Sequence, residues 1–122
     1  MKKTSRFALW APVVLYAALI FFLSSFSFDF PWFQKTQKIH GDWLVHVVEY
    51  SIFGALVCRA LGAQSRLFAV VVLVGVLYGA SDELHQRYVP HRDSSLDDVM
   101  ADTVGTALGT WVWLKKTRKE HA

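Results

Sequence analysis

The sequence has 122 residues, which is enough for one domain. Hydrophobic residues make up 53% and charged residues only 19%, below the roughly 25% typical of soluble domains, so an ordinary soluble composition is excluded. The net charge is +3, but the cations stand at the ends of apolar segments rather than on one face, which argues against nucleic acid as a partner.

The first apolar segment, residues 7–26, contains 20 residues without a charge, the length needed to cross a bilayer. The alternative is a cleavable signal peptide, because Lys2, Lys3 and Arg6 resemble its charged leading region. The apolar stretch is longer than in typical signal peptides, and no A-x-A cleavage site follows it. We therefore expect a retained transmembrane helix.

Two further apolar segments each carry ionisable residues at one end. The second, residues 42–61, opens with Asp42, His46 and Glu49, whereas the third, residues 67–84, ends at Asp82 and Glu83. Both are long enough for a transmembrane helix, and the need to satisfy every backbone group in lipid favours helix over strand. The single cysteine, residue 58, lies in an apolar run, and we expect it to be a small buried hydrophobic residue.

The fourth segment, residues 97–114, is the least apolar and carries Asp98 and Asp102 near its start. Trp111 and Trp113 mark its other end, where aromatic rings suit a membrane interface. Together the segments predict an all-α, polytopic membrane protein. We expect a four-transmembrane-helix bundle that forms a single domain over residues 1–122.

The cations predict the orientation of these helices. Nine of the 13 fall on the side that holds both termini, and the positive-inside rule places that side in the cytoplasm. Nine of the ten acids belong to the other, outer half. Since acids contribute little to topology, their concentration there needs another reason, and function is one candidate.

Helical periodicity brings these acids onto stripes, because successive residues of a helix turn by about 100°. Glycines continue two of the stripes inward and favour close helix packing, so we expect the acids to face the centre of the bundle. The result is a polar pocket near the outer surface, lined by segments two, three and four. The three stripes are Asp42, His46 and Glu49; Gly75, Gly79, Asp82 and Gln86; and Asp98, Asp102, Gly105 and Gly109.

Ionisable groups within a membrane domain predict a functional site. Candidates for general acid or base catalysis are His46, Glu49, Asp82, Glu83, His85, Asp98 and Asp102. A divalent metal is an open alternative, with candidate ligands His46, Glu49, Asp82, His85 and Asp102. Candidates for ligand binding are Asp42, Gln86 and Arg92, and Arg87 with Arg92 would suit a phosphate or carboxylate. A structural role, in which the acids pair with the arginines and histidines, also remains open.

The same residues carry a family resemblance. Ser81-Asp82-Glu83-Leu84-His85-Gln86, the turn Val89-Pro90-His91-Arg92, and the helix with Asp98, Asp102 and Gly105 resemble motifs of the VanZ-like family of small bacterial membrane proteins. The family usually has glycine where this chain has His91, and glycine adopts positive φ more easily. The resemblance implies a location in the bacterial inner membrane, and the namesake of the family is linked to teicoplanin resistance.

Several functions remain open from the sequence. The first expectation is that the protein binds or modifies an envelope lipid or cell-wall precursor at the outer pocket. A second is a metal-dependent membrane hydrolase or transferase, and a third is a small proton-coupled transporter or a structural subunit. Four short helices leave little room for alternating access in a monomer, so the third predicts an oligomer. Whether the protein is an enzyme stays undecided.

Overall fold

The computed structural model describes residues 4–26, 43–90 and 94–122. These residues form four α-helices: α1 (Arg6–Ser24), α2 (Trp43–Ala60), α3 (Phe68–Gln86) and α4 (Leu96–His121). A short 3₁₀ turn, Ser65–Leu67, leads into α3. No strand occurs in this part of the chain, so the predicted all-helical fold is confirmed for it.

Serine side chains cap two of the helices. The Ser5 hydroxyl accepts a hydrogen bond from the Ala8 amide at the start of α1, and the Ser95 hydroxyl accepts one from the Asp98 amide at the start of α4. Helix α4 also has acids in its first turn and cations in its last turn, which complements the helix dipole. Between α2 and α3 the chain turns through Gly62, whose φ of 84° favours glycine.

The fourth helix is longer than the sequence predicts. It continues to His121 instead of ending near Leu114, because no glycine or proline follows Gly109 and the lysines and arginine of the tail are good helix formers. Helix α3 likewise ends at Gln86 rather than Leu84, so His85 and Gln86 belong to the helix. The remaining helix ends lie within two residues of the prediction, as is usual for helix boundaries.

Glycines form the seams between α4 and its neighbours. A side chain at Gly105 or Gly109 would overlap the backbone carbonyl of Val47 or Ser51 in α2. A side chain at Gly75 or Gly79 of α3 would similarly meet Thr106 or Asp102 of α4. The prediction that both glycine pairs are packing seams is therefore confirmed. Gly54 of α2 adds an unpredicted contact with the backbone of Thr106.

The apolar core lies towards the end of the bundle that holds the α2–α3 turn. Val13, Phe53, Val57, Val71 and Leu114 are buried there. Cys58 is buried with them as a free thiol, as predicted. At the other end of the bundle many of the buried side chains are polar, and they form the site described below.

Three helical segments of the described chain are long and apolar enough to cross a membrane: Arg6–Ser24, Trp43–Ala60 and Ser65–Gln86. Helix α4 is not among them by composition, because it combines two acids in its first turn, buried Asp102 and a basic tail. The apolar helices indicate a membrane protein.

Candidate functional site

A histidine–aspartate pair joins α2 to α4. His46 Nδ1 lies 2.7 Å from Asp102 Oδ1, and both side chains are buried. The helices can approach this closely because Gly105 packs against Val47 one turn away. An ionised Asp102 can only accept a hydrogen bond, so it holds the proton on Nδ1 and leaves Nε2 facing away from Asp102.

Asp82 of α3 joins this end of the bundle to α1. Its Oδ1 accepts a hydrogen bond from the Ser24 hydroxyl at 2.5 Å, and its Oδ2 lies 3.5 Å from the Gln86 side-chain amide. All three side chains are buried. Gly79, one turn earlier, lies against Asp102, so Asp82 and Asp102 belong to the same buried layer.

Glu83 is held in place by the start of α4. Its Oε2 accepts a hydrogen bond from the Ser95 backbone amide at 2.9 Å. Its Oε1 is also buried but has no hydrogen-bond partner among the described residues, and the side chain is only 5% exposed. Buried polar atoms normally have partners, so this oxygen calls for an explanation.

Glu83, His46 and Asp98 form a compact group. One potential ligand atom from each residue lies within 4.8 Å of the other two, and all three residues are buried. His46 Nε2 lies 4.0 Å from Asp98 Oδ1, too far for a hydrogen bond. The group therefore brings one imidazole nitrogen and two carboxylates, from three helices, around a shared point.

Two candidates of the sequence lie apart from this group. His85 is half-buried against α1, where its ring stacks on Phe21 and its Nε2 lies 3.0 Å from the Ser25 hydroxyl. Glu49 is half-buried beside Tyr16, whose hydroxyl donates to the Glu49 backbone carbonyl. Neither belongs to the His46–Glu83–Asp98 group. Asp42 and Arg92, also candidates, lie outside the described residues.

A pocket of about 420 Å³ opens beside Glu83, between the end of α3 and the start of α4. Arg87 stands in its wall, and its Nε donates to the Ser94 hydroxyl at 3.3 Å. The apolar part of the wall consists of Ala80, Leu84, Leu96 and Val99. The pocket is lined by Ala80, Glu83, Leu84, Arg87, Ser94, Ser95, Leu96 and Val99.

Sequence reasoning missed the contributions of serines to this region. Ser95 could have been found, because a serine three residues before Asp98 and ahead of a helical pattern is typical of a helix cap. The Ser24 hydroxyl donates to Asp82. Its partner Asp82 is 58 residues away, so no local pattern indicates that contact.

Comparison with known proteins gives a family assignment. The model of the VanZ/LLP1 family matches residues 9–117, which includes all four helices over most of their length. No curated protein and no solved structure matches the chain.

Proposed function

The chain belongs to the VanZ/LLP1 family, and from that premise we propose that it is a multi-pass protein of the bacterial inner membrane that binds the phosphate-bearing headgroup of an envelope lipid or cell-wall precursor. Family membership and the apolar helices support a VanZ-like membrane protein of the cell envelope.

The exposed face of α4 supports a fourth transmembrane helix. Met100, Val104, Leu108 and Val112 recur every four residues, and each is at least 45% exposed. Polar residues of α4 such as Asp102 and Thr106 are instead buried against α2 and α3. A helix with an apolar exposed face that lies alongside two membrane-crossing helices suits lipid surroundings, although its average composition is polar.

The cations support cytoplasmic termini. Arg59 and Arg66 flank the turn between α2 and α3, and the basic end of α4 lies at the same end of the bundle, where Thr117 and Gly62 line one pocket. The positive-inside rule assigns this end to the cytoplasm. The end that carries His46, Glu83 and Asp98 would then face outward.

The observation that carries the proposed function is the pocket beside Glu83. Arginine binds phosphate oxygens through paired N–H groups, and Arg87 stands in this pocket with Ser94 and the start of α4 nearby. Leu84 and Leu96 line the same pocket and are 55% and 79% exposed, which suits contact with lipid chains. A polar anchor beside an apolar wall fits a lipid phosphate better than a freely soluble anion.

A binding titration of the purified full chain tests this proposal. Native mass spectrometry in detergent would follow binding of phosphatidylglycerol and, in a separate arm, of undecaprenyl phosphate. Arg87→Gln removes one charged hydrogen-bonding partner, so we expect affinity for the preferred lipid to fall about tenfold. The two arms distinguish a bulk phospholipid from a carrier of cell-wall precursors.

Arg66→Gln is the matched control. Arg66 is also exposed and also donates through Nε to a neighbouring polar side chain, Gln64, but it lies at the opposite end of the bundle. Its substitution should leave lipid affinity unchanged. The proposal would be contradicted if diacylglycerol, which lacks a phosphate, bound as tightly as the phosphate-bearing lipids. It would also be contradicted if Arg87→Gln left the affinity for those lipids unchanged.

If the carrier lipid is the preferred ligand, expression of the protein should reduce the susceptibility of cells to teicoplanin, and this effect should be lost in Arg87→Gln.

A further inference from the structure

We propose that His46, Glu83 and Asp98 form a binding site for one divalent transition-metal ion of the Zn²⁺ class. This site stands on its own geometry and does not depend on lipid binding. It also differs from the ligand set predicted from the sequence, since Glu83 and Asp98 join His46 in place of Glu49, Asp82, His85 and Asp102.

The spacing of the donors suits a shared ion. Ligand atoms bound to one metal at about 2.0–2.2 Å lie roughly 3–4 Å apart. The three potential donor atoms lie within 4.8 Å of one another, and His46 Nε2 is 4.0 Å from Asp98 Oδ1. An ion between them needs only small side-chain movements to reach all three.

The surroundings orient the two best-defined ligands. His46 Nδ1 is bonded to Asp102 Oδ1 at 2.7 Å, the carboxylate–histidine arrangement that fixes the ring and directs Nε2 to a metal. Glu83 Oε2 is bonded to the Ser95 amide at 2.9 Å, which fixes the carboxylate plane. Both side chains are therefore positioned by groups that are not ligands themselves.

Glu83 Oε1 provides an independent reason to place a cation here. This oxygen is buried and has no hydrogen-bond partner among the described residues. Glu83 as a whole is only 5% exposed. A buried carboxylate oxygen without a donor is costly, and a bound cation removes that cost. The same cation would neutralise Glu83 where it borders the Arg87 pocket.

The donor types select the metal. One imidazole nitrogen favours first-row transition metals over Mg²⁺ and Ca²⁺, which prefer oxygen ligands alone. Two carboxylates and the absence of sulfur suit Zn²⁺ or Mn²⁺. Zn²⁺ binds more tightly in the general affinity order and is the probe of choice.

The test uses the full chain, purified with a tag that lacks histidine, stripped with a chelator and titrated in detergent with Zn²⁺ and no added lipid. We expect one ion per chain by calorimetry and elemental analysis. Glu83→Gln and Asp98→Asn should each weaken binding at least tenfold, because each removes a ligand charge. Failure of lipid binding would leave this result unaffected.

Asp97→Asn is the matched control, because Asp97 is the exposed neighbour of Asp98 in the first turn of α4. It should bind Zn²⁺ like the unmodified chain. The proposal is overturned if the unmodified chain shows no saturable binding, or if folded Glu83→Gln and Asp98→Asn retain its affinity.

X-ray absorption of the Zn²⁺-loaded unmodified chain keeps the test decisive if the variants fail to fold. We expect oxygen and nitrogen neighbours at about 2.0–2.2 Å with the scattering pattern of a single imidazole. A sulfur neighbour, which would implicate Cys58, or two imidazoles would reject the assigned ligands.

Discussion

Asp102 is the most deeply buried acid of the described chain, with no exposed surface. Its Oδ1 pairs with His46, while its Oδ2 is buried without a hydrogen-bond partner among the described residues. Removing one partner of a buried hydrogen bond is destabilising, because the polar atom of the other partner stays buried without compensation. Asp102 therefore both orients His46 and contributes to the stability of the bundle.

Asp102→Ala should lower the free energy of unfolding by about 1–3 kcal/mol, since it leaves the buried His46 Nδ1 without its hydrogen-bond partner. Thermal unfolding of the purified chain in detergent, followed by circular dichroism, measures this. Asp97→Ala serves as the control and should cost no more than about 1 kcal/mol, the usual contribution of an exposed acid in the first turn of a helix. Equal stability of the two variants would show that the His46–Asp102 pair is unimportant.

For individual residues, the sequence predicts which side chains face the inside of the bundle but not which of those side chains contact one another. Asp82, Gln86, Asp98 and Asp102 are all buried, as helical periodicity indicates. Which acid pairs with His46 depends on the relative height of α2 and α4, and no pattern within one helix contains that information. For the same reason His85, a metal candidate by residue type, instead stacks against α1.

Helix α4 is polar on its buried face and apolar on its exposed face, the reverse of a helix at the surface of a soluble protein. Its face towards α2 and α3 is built from polar and small residues, whereas Met100, Val104 and Leu108 are exposed. The buried members are Asp98, Asp102, Gly105, Thr106, Gly109 and Thr110. The buried Thr106 and Thr110 hydroxyls donate to backbone carbonyls of their own helix, so their burial leaves no donor unsatisfied. Small residues let α4 approach α2 and α3 closely enough to bring His46, Glu83 and Asp98 together.

Gly109→Ala tests the seam between α4 and α2. The added methyl group would overlap the Ser51 carbonyl, a backbone atom that can move only with its helix. We expect a loss of several kcal/mol in unfolding free energy, or a chain that no longer runs as a single species in size-exclusion chromatography. Leu108→Ala, on the exposed face of the same helix, should have little effect. If Gly109→Ala is equally well tolerated, the two helices do not pack as described.

Periodicity and glycine spacing together predict the helices and their seams, since both are local properties of the sequence. Helix α4 is longer than the apolar run that predicts it, because helix propensity continues through Lys115, Lys116 and Arg118. Apolar composition marks the membrane-crossing part of a helix, but it does not mark the end of the helix.

The whole molecule has polar side chains inside one end of the bundle and large apolar side chains outside. Leu15, Leu77 and Met100, from three different helices, are each more than 60% exposed. Such a surface suits a bilayer, in which burial of apolar groups between helices gains little and polar contacts and close packing hold the helices together. The His46–Glu83–Asp98 group lies at the end of the bundle opposite the basic tail of α4.

The central claim is that α4 crosses the membrane and brings its acidic end to the outer surface. Single-cysteine labelling in intact cells tests this most directly, using Cys58→Ser as the background and substituting the exposed residues Asp97 and Glu120, near the two ends of α4. We predict that a membrane-impermeant thiol reagent labels Asp97→Cys in intact cells but labels Glu120→Cys only after permeabilisation. Labelling of both positions from the same side would contradict the account.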